Sequence, residues 1–299
     1  MARAGMPTDH GSLSTCVKVR IGVGGAVDPL AMDVVVDALD QLGFDSLWLS
    51  EVLTAPIVDP LVGLAYAAAA NPRLKLGTTM LLPGRNPIRV TKELATLDAL
   101  SGGRLLITFV PGLTTSPERD AIGVEPRERG ALIDEAIPRL RQLWAGDRVD
   151  GVVLSPLPHQ QPLEAWLGGM APAALERCGR LGDGWLPSLC TPDEAAQGKR
   201  VIDEAAARAG RVISAEHFGV SVGYARAPLS DRAVTAIAAR SRGHDPRSLV
   251  PTSLHQLRDH VKRFLDVGFS KFVVRPLAPP PSWRDELEDL ASAVLDLQT

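Results

Sequence analysis

The stretch VKVRIGVGGAVDPLAMDVVVDALDQLGFDSLWLSEV (Val17–Val52) decides the fold class. Val17–Gly25 is a β-like run that ends in glycines. Asp28-Pro29 then opens a helix that runs to about Leu42. Asp is a good N-cap, and Pro fits the first helical position because the donor it lacks would be unpaired there anyway. Gly43 closes the helix, and the short apolar run DSLWL follows as a second strand. Strand, helix and strand in this order form a crossover unit, which joins parallel strands.

The same alternation continues along the chain. Further strand-like runs are Arg73–Met80, Arg104–Val110, Leu163–Gly169, Gly184–Ser188, Glu216–Ala225 and Ser270–Pro276. Asp59-Pro60 and Asn86-Pro87 repeat the helix-start signal, and helical runs follow most strands. Eight strands alternating with helices favour a closed (β/α)8 TIM barrel over an open sheet. Helical segments filling residues 231–268 form an insertion between the last two strands. Met1–Cys16 reads as a flexible extension, and residues 17–299 as one barrel domain, a length that suits α/β barrels.

The composition narrows the function. The chain has 299 residues, 45% of them hydrophobic, and 32 basic against 35 acidic side chains give a net charge of −3. No basic stripe points to nucleic acid. No run approaches the ~20 apolar residues of a membrane span, and the start lacks the apolar core of a signal peptide. Three widely spaced cysteines suit a reducing, cytoplasmic setting. His255 and His260 are five apart, the wrong spacing for a helical zinc pair, so no protein metal site is expected.

In a barrel the chemistry sits at the C-terminal ends of the strands. The residues that fall there are Gly22–Gly25, Ser50-Glu51-Val52, Thr78-Thr79-Met80, Pro111-Gly112, Gly168-Gly169-Met170, Pro187-Ser188 and Arg275.

Several stretches together resemble the luciferase-like monooxygenase superfamily: GFDSLWLSE, RNPIRVTKELATLDALSGGRL, WLGGMAPAALERCGRLGDGWLP and HVKRFLDVGFSKFVV. The style of SGGRL and of the late helix is similar to the branch of F420-dependent oxidoreductases. The resemblance implies a barrel that uses the deazaflavin F420, or FMN in the monooxygenase alternative, on a small-molecule substrate. A non-catalytic cofactor-binding protein is a third reading. The resemblance also implies a homodimer through the early helices.

The resemblance assigns candidate cofactor contacts. Gly168, Gly169, Met170 and Ala171 match a phosphate-cradling turn, in which glycines let backbone approach and a helix N-terminus faces the anion. A tight turn that needs glycine only for sterics is the alternative. Ser188 is the hydroxyl expected to meet the same phosphate. Thr79, Met80, Val52 and Trp48 would shape the pocket of the cofactor ring, with a plain core role as the alternative for Trp48. In relatives the Thr79–Met80 peptide is sometimes cis. Gly112 lies where many relatives carry Gly-x-Gly, and Glu118 in the following loop reads as a surface residue. Arg275 either meets a phosphate or acidic tail of the cofactor or closes a salt bridge at the mouth.

Relatives read Ser-Asp/Glu-His where this chain has Ser50-Glu51-Val52. Valine cannot carry a proton, so three functional readings stand beside a structural one. Glu51 is the catalytic acid or base, or hydride transfer needs no side-chain acid, or catalysis is weak. In the structural reading Glu51 is tied to backbone or Arg at the rim.

Overall fold

The protein is described by a computed structural model covering residues 17–114 and 117–299; the expected extension Met1–Cys16 lies outside the described residues. Eight parallel strands form one sheet: β1 (Arg20–Gly24), β2 (Ser46–Ser50), β3 (Lys75–Leu81), β4 (Leu105–Val110), β5 (Trp166–Leu167), β6 (Gly184–Trp185), β7 (Gly219–Tyr224) and β8 (Lys271–Pro276). Their order is β6-β5-β4-β3-β2-β1-β8-β7. Parallel bridges Trp185↔Phe218 and Ser188↔Ser221 join β6 to β7, and the Ser221 N–H donates to the Pro187 carbonyl at 2.8 Å. The sheet is therefore a nearly closed barrel.

Helices surround it: α1 (Met32–Leu42), α2 (Pro60–Ala70), α3 (Pro87–Ser101), α4 (Glu118–Ile122), α5 (Arg129–Trp144), α6 (Pro172–Leu181), α7 (Pro192–Arg208), α8 (Asp231–Ala238), α9 (Pro246–Leu249), α10 (Leu254–Asp266) and α11 (Trp283–Val294). The expected Asx-Pro starts are real caps. Asp59 accepts from the Leu61 and Val62 amides, and Asn86 from Arg89. Asp28 caps a short 3-10 turn that leads into α1. Gly43, at φ +88°, ends α1 in the left-handed conformation that glycine adopts freely. The insertion between β7 and β8 consists of α8, α9 and α10. Among the described residues no helix is long and apolar enough to cross a membrane.

Side chains alternate between the helix-facing side of the sheet and the lumen. The lumen holds its own small core of Trp48, Trp166, Leu186 and Val273. Trp48 lies against Gly22 on β1 and Gly77 on β3. A Cβ on Gly22 would stand 2.9 Å from the indole Cδ1, and one on Gly77 would overlap the ring. Gly184 makes the same room for Trp166 on the neighbouring strand. The Trp48 indole N–H donates to Ser46 Oγ at 2.9 Å, so its polar edge is satisfied.

Two of the family-like motifs, SGGRL and RLGDGWLP, sit at the other end of the barrel from the strand C-termini. In SGGRL, Gly102 and Gly103 take positive φ, and the Arg104 guanidinium donates to the carbonyls of Ala68, Leu74 and Ser101. In RLGDGWLP, Asp183 accepts from Arg141, Arg211 and the Ala165 amide. These residues start strands and tie helices to them, so their role is to hold the barrel together.

Gly77→Val is expected to destabilise the protein by about 1–3 kcal/mol, the usual cost of overpacking a filled core. Pairing it with Trp48→Leu should recover part of that loss. Urea denaturation of the single and double variants measures the coupling.

Candidate active site at the barrel mouth

Alternation fixes which side chains enter the mouth. Ser50, Thr79, Val110, Ser188, Ser221 and Arg275 face the lumen at the C-terminal ends of their strands, and all are partly exposed. The intervening Leu49, Met80, Phe109, Val222 and Val274 are buried in the layer beneath the helices. The result is a cup whose floor is Trp48 and Trp166. Met80 is fully buried on the helix side, so the ring contact expected of its side chain is not available. Thr79 does face the cup. Its peptide to Met80 is trans; the cis bonds among the described residues are Ser155–Pro156 and Gln161–Pro162.

Glu51 is engaged on both oxygens. Oε2 accepts from the Leu81 amide at 2.8 Å, and Oε1 from Arg85 Nη2 at 2.5 Å. Arg85 Nε also donates to the Leu81 carbonyl at 3.0 Å. The Glu51 side chain is only 6% exposed. It therefore clamps the end of β2 to the end of β3, the arrangement of the structural reading. Val52 follows at the rim and is 40% exposed. Glu118 is not the surface residue expected. It is buried and accepts from the Leu53 amide and Thr54 hydroxyl, both at 3.3 Å, which ties α4 to the loop after β2.

Gly168 and Gly169 form the turn from β5 into α6. Gly169 has φ +111°, and its carbonyl accepts from the Trp185 indole at 3.0 Å, which fixes the turn. A Cβ on Gly168 would meet Val110 Cγ1 at 2.7 Å, so that glycine is also needed for packing. Met170 packs against the core and Ala171 is exposed at the N-cap. Ala171 has no side chain to cap the helix, and Pro172 occupies the first position. Helices α2, α3, α7, α8, α10 and α11 all carry an Asp, Asn, Thr or Ser cap. Like α1, α4 and α5, α6 has no side-chain cap, and its bare N-terminus stands beside the cup. Lower in the lumen, the buried Thr108 Oγ1 has no hydrogen-bond partner.

Gly112 belongs elsewhere. At φ +83°, it packs where a Cβ would meet Ile122 and Leu81, at 2.9 Å from Leu81 Cδ2. The buried Arg129 anchors this loop by donating to the carbonyls of Pro111, Leu113, Arg119 and Val124. The turn after β4 is thus shaped by the protein's own packing.

Arg275 closes no salt bridge. Among the described residues its guanidinium has no acidic or carbonyl partner. Burial, and after it the positive charge of Arg240, push it down to about 10. Arg240 comes from the insertion between β7 and β8, whose Ile237, Leu249 and Val250 pack on Leu189 at the end of β6. Leu189 itself has φ +51°, a strained value for a branched side chain.

Residues 15–269 match the luciferase-like monooxygenase family, which is most of the chain. The chain belongs to that family. An F420-dependent glucose-6-phosphate dehydrogenase of Kineococcus radiotolerans is 32% identical over 177 residues, which cover 52% of this chain and 50% of the relative. Limonene 1,2-monooxygenase of Rhodococcus erythropolis is 26% identical over 203 residues, covering 62% and 52%. The chain thus spans about half the length of each of these relatives. Among solved structures, an F420-dependent secondary alcohol dehydrogenase in complex with an F420-acetone adduct superposes with a TM-score of 0.78 at 17% identity. That match covers 94% of this chain and 100% of the other, and it shows the shared luciferase-like fold.

Sequence reading missed Arg85, Arg129, Thr108 and Arg240. Arg85, next to the Asn86 cap in a βα loop, lay at a position that could have drawn notice. The others gave no local signal, because their partners, or the lack of them, appear only in three dimensions.

Arg85→Met, which leaves the enclosed Glu51 carboxylate without its cation, is expected to cost about 1–3 kcal/mol. The double variant Arg85→Met/Glu51→Gln should cost less than Arg85→Met alone. Chemical denaturation of the three proteins checks the order.

Proposed function

We propose that this protein is an oxidoreductase that holds the deazaflavin F420 in the barrel mouth and passes hydride between it and a small organic substrate. The bare N-terminus of α6 beside the cup is the observation that carries the reading. Its unpaired amides and positive dipole end suit a phosphate, and the Gly168-Gly169 turn lets that group approach the backbone. No side chain caps the helix in the phosphate's place. The relatives named above, two of them F420-dependent, support the choice of cofactor.

When bound, the deazaflavin supplies a two-electron hydride donor or acceptor. This chain's residues do the positioning. Gly168, Gly169, Met170 and Ala171 form the phosphate turn, with Ser188 on the next strand end. Thr79 and Val110, which face the cup, would hold the ring of the cofactor, and Val52 at the rim would help exclude water from it. Thr108 Oγ1 is free to hydrogen-bond a polar edge of a ligand that reaches down to it. Glu51, held by Arg85 and Leu81, keeps the strand ends in register and moves no proton. A hydride transfer that depends on orientation does not require a free acid at that position.

FMN is the second reading, because the same phosphate turn suits it and the limonene monooxygenase is a relative. Self-association into a homodimer also belongs to this proposal, since the apolar Leu30, Val62 and Tyr66 stand exposed on or beside the first two helices. The buried free thiols of Cys178 and Cys190 fit a reducing, cytoplasmic setting.

Titration of the purified protein with F420 and with FMN, followed by fluorescence, tests the proposal. Saturable F420 binding is expected, weakened at least tenfold by Gly169→Val. Binding of FMN with none of F420 would replace this reading with the monooxygenase one.

A further inference from the structure

The lumen has a second recess, at the N-terminal ends of the strands. A cavity of about 70 Å³ lies there, walled by Trp48, Trp166, Leu106 and Val273 and bordered by Arg20, Asp45, Lys75 and Lys271. Its walls offer a guest little polarity. The Trp48 N–H is committed to Ser46 Oγ and the Trp166 N–H to Glu164 Oε2, each at 2.9 Å. A buried water needs two to four polar partners, so an apolar group suits this interior better. On the scale by which an apolar cavity of about 150 Å³ takes benzene, this one admits a chain of roughly three carbons.

The border is charged and one-sided. Among the described residues three cations line the cavity against one carboxylate. Arg20 and Lys271 are register partners on β1 and β8, so two like charges stand side by side. Asp45 Oδ1 lies 3.1 Å from Lys75 Nζ and 3.4 Å from Arg20 Nε. Arg20 also donates to the backbone oxygens of Val19 and Thr299 and is thereby committed. The lysines are not. An ammonium carries three N–H donors. Lys75 gives one to Asp45, and Lys271 gives one to the Lys18 carbonyl at 2.8 Å and stands 3.6 Å from Glu216. Both keep a donor in reserve. Burial above all lowers the Lys271 pKa; Glu216 opposes this, and Arg20 and Lys75 add to it. A carboxylate placed among these groups offsets the excess charge and takes charge-assisted hydrogen bonds from the spare donors.

We propose that this lower recess is a binding pocket for a small aliphatic monocarboxylate, its chain against the two indoles and its carboxylate between Lys75 and Lys271. The pocket lies at the opposite end of the lumen from the cup and does not depend on the function proposed above. The two sites share Trp48 and Trp166, which roof one and floor the other.

The test uses the full-length protein and butyrate as probe, titrated calorimetrically at constant ionic strength held with chloride. Saturable binding is expected, weakened about tenfold in Lys75→Met and in Lys271→Met, the loss of one charge-assisted contact. Leu106→Phe, which fills the cavity, should abolish it. Butylammonium, with the same chain and the opposite charge, should not bind. Of the five indole N–H signals in the NMR spectrum, butyrate should shift those of Trp48 and Trp166 and leave Trp144, Trp185 and Trp283 in place. No butyrate binding by the wild type, equal binding of butylammonium, or full affinity in both lysine variants would overturn the pocket. Repeating the titration with saturating F420 or FMN should change nothing, and displacement would move butyrate to the cup and overturn the assignment. If neither cofactor binds, the proposed function fails, while the butyrate titrations still decide the pocket.

Discussion

The barrel depends on how its lumen is filled. Two indoles, Trp48 and Trp166, are the largest side chains of the small lumen core, and they fit only because the facing positions on neighbouring strands are Gly22, Gly77 and Gly184. Large against small is the jigsaw rule of a close-packed interior. Here it also sets the depth of the functional cup. Below the indoles the lumen is bordered by the charged side chains of Arg20, Asp45, Lys75 and Lys271. Above them the strand ends open into a recess lined by hydroxyls, small residues and one arginine.

A division of labour follows along the barrel axis. At the strand N-termini, Arg104 and Asp183 tie helices and strands together through backbone carbonyls and ion pairs. The SGGRL and RLGDGWLP motifs, which help make the family resemblance visible, lie at this stability end. The strand C-termini carry the features that bear on chemistry: the bare α6, the clamped Glu51 and Arg275. A resemblance carried by framework residues transmits the fold faithfully and the chemistry only in outline.

Polar groups at the mouth sort by whether they are satisfied. Glu51 looked like a candidate acid because a carboxylate ended an apolar strand. With both oxygens occupied, one by a guanidinium, it serves as a brace between two strand ends. Glu118 looked like a surface acid and is a buried acceptor for the loop after β2. Arg275 had been balanced between ligand contact and salt bridge, and it has no salt bridge among the described residues. In each case the partner, or the lack of one, decides what the side chain does.

The sequence by itself determined the eight strands, most of the helices and their capped starts, because periodicity, Asx-Pro caps and glycine stops are local signals. It also located the α6 turn, since two glycines followed by Ala-Pro form a contiguous pattern. Only the tertiary structure decided which face each strand residue presents, and so moved Met80 out of the cup and Gly112 into loop packing. It alone paired Glu51 with Arg85, 34 positions away, and seated the insertion's Ile237, Leu249 and Val250 on Leu189. Charge partnership and close packing are set by distance in space, and spacing along the chain does not record it.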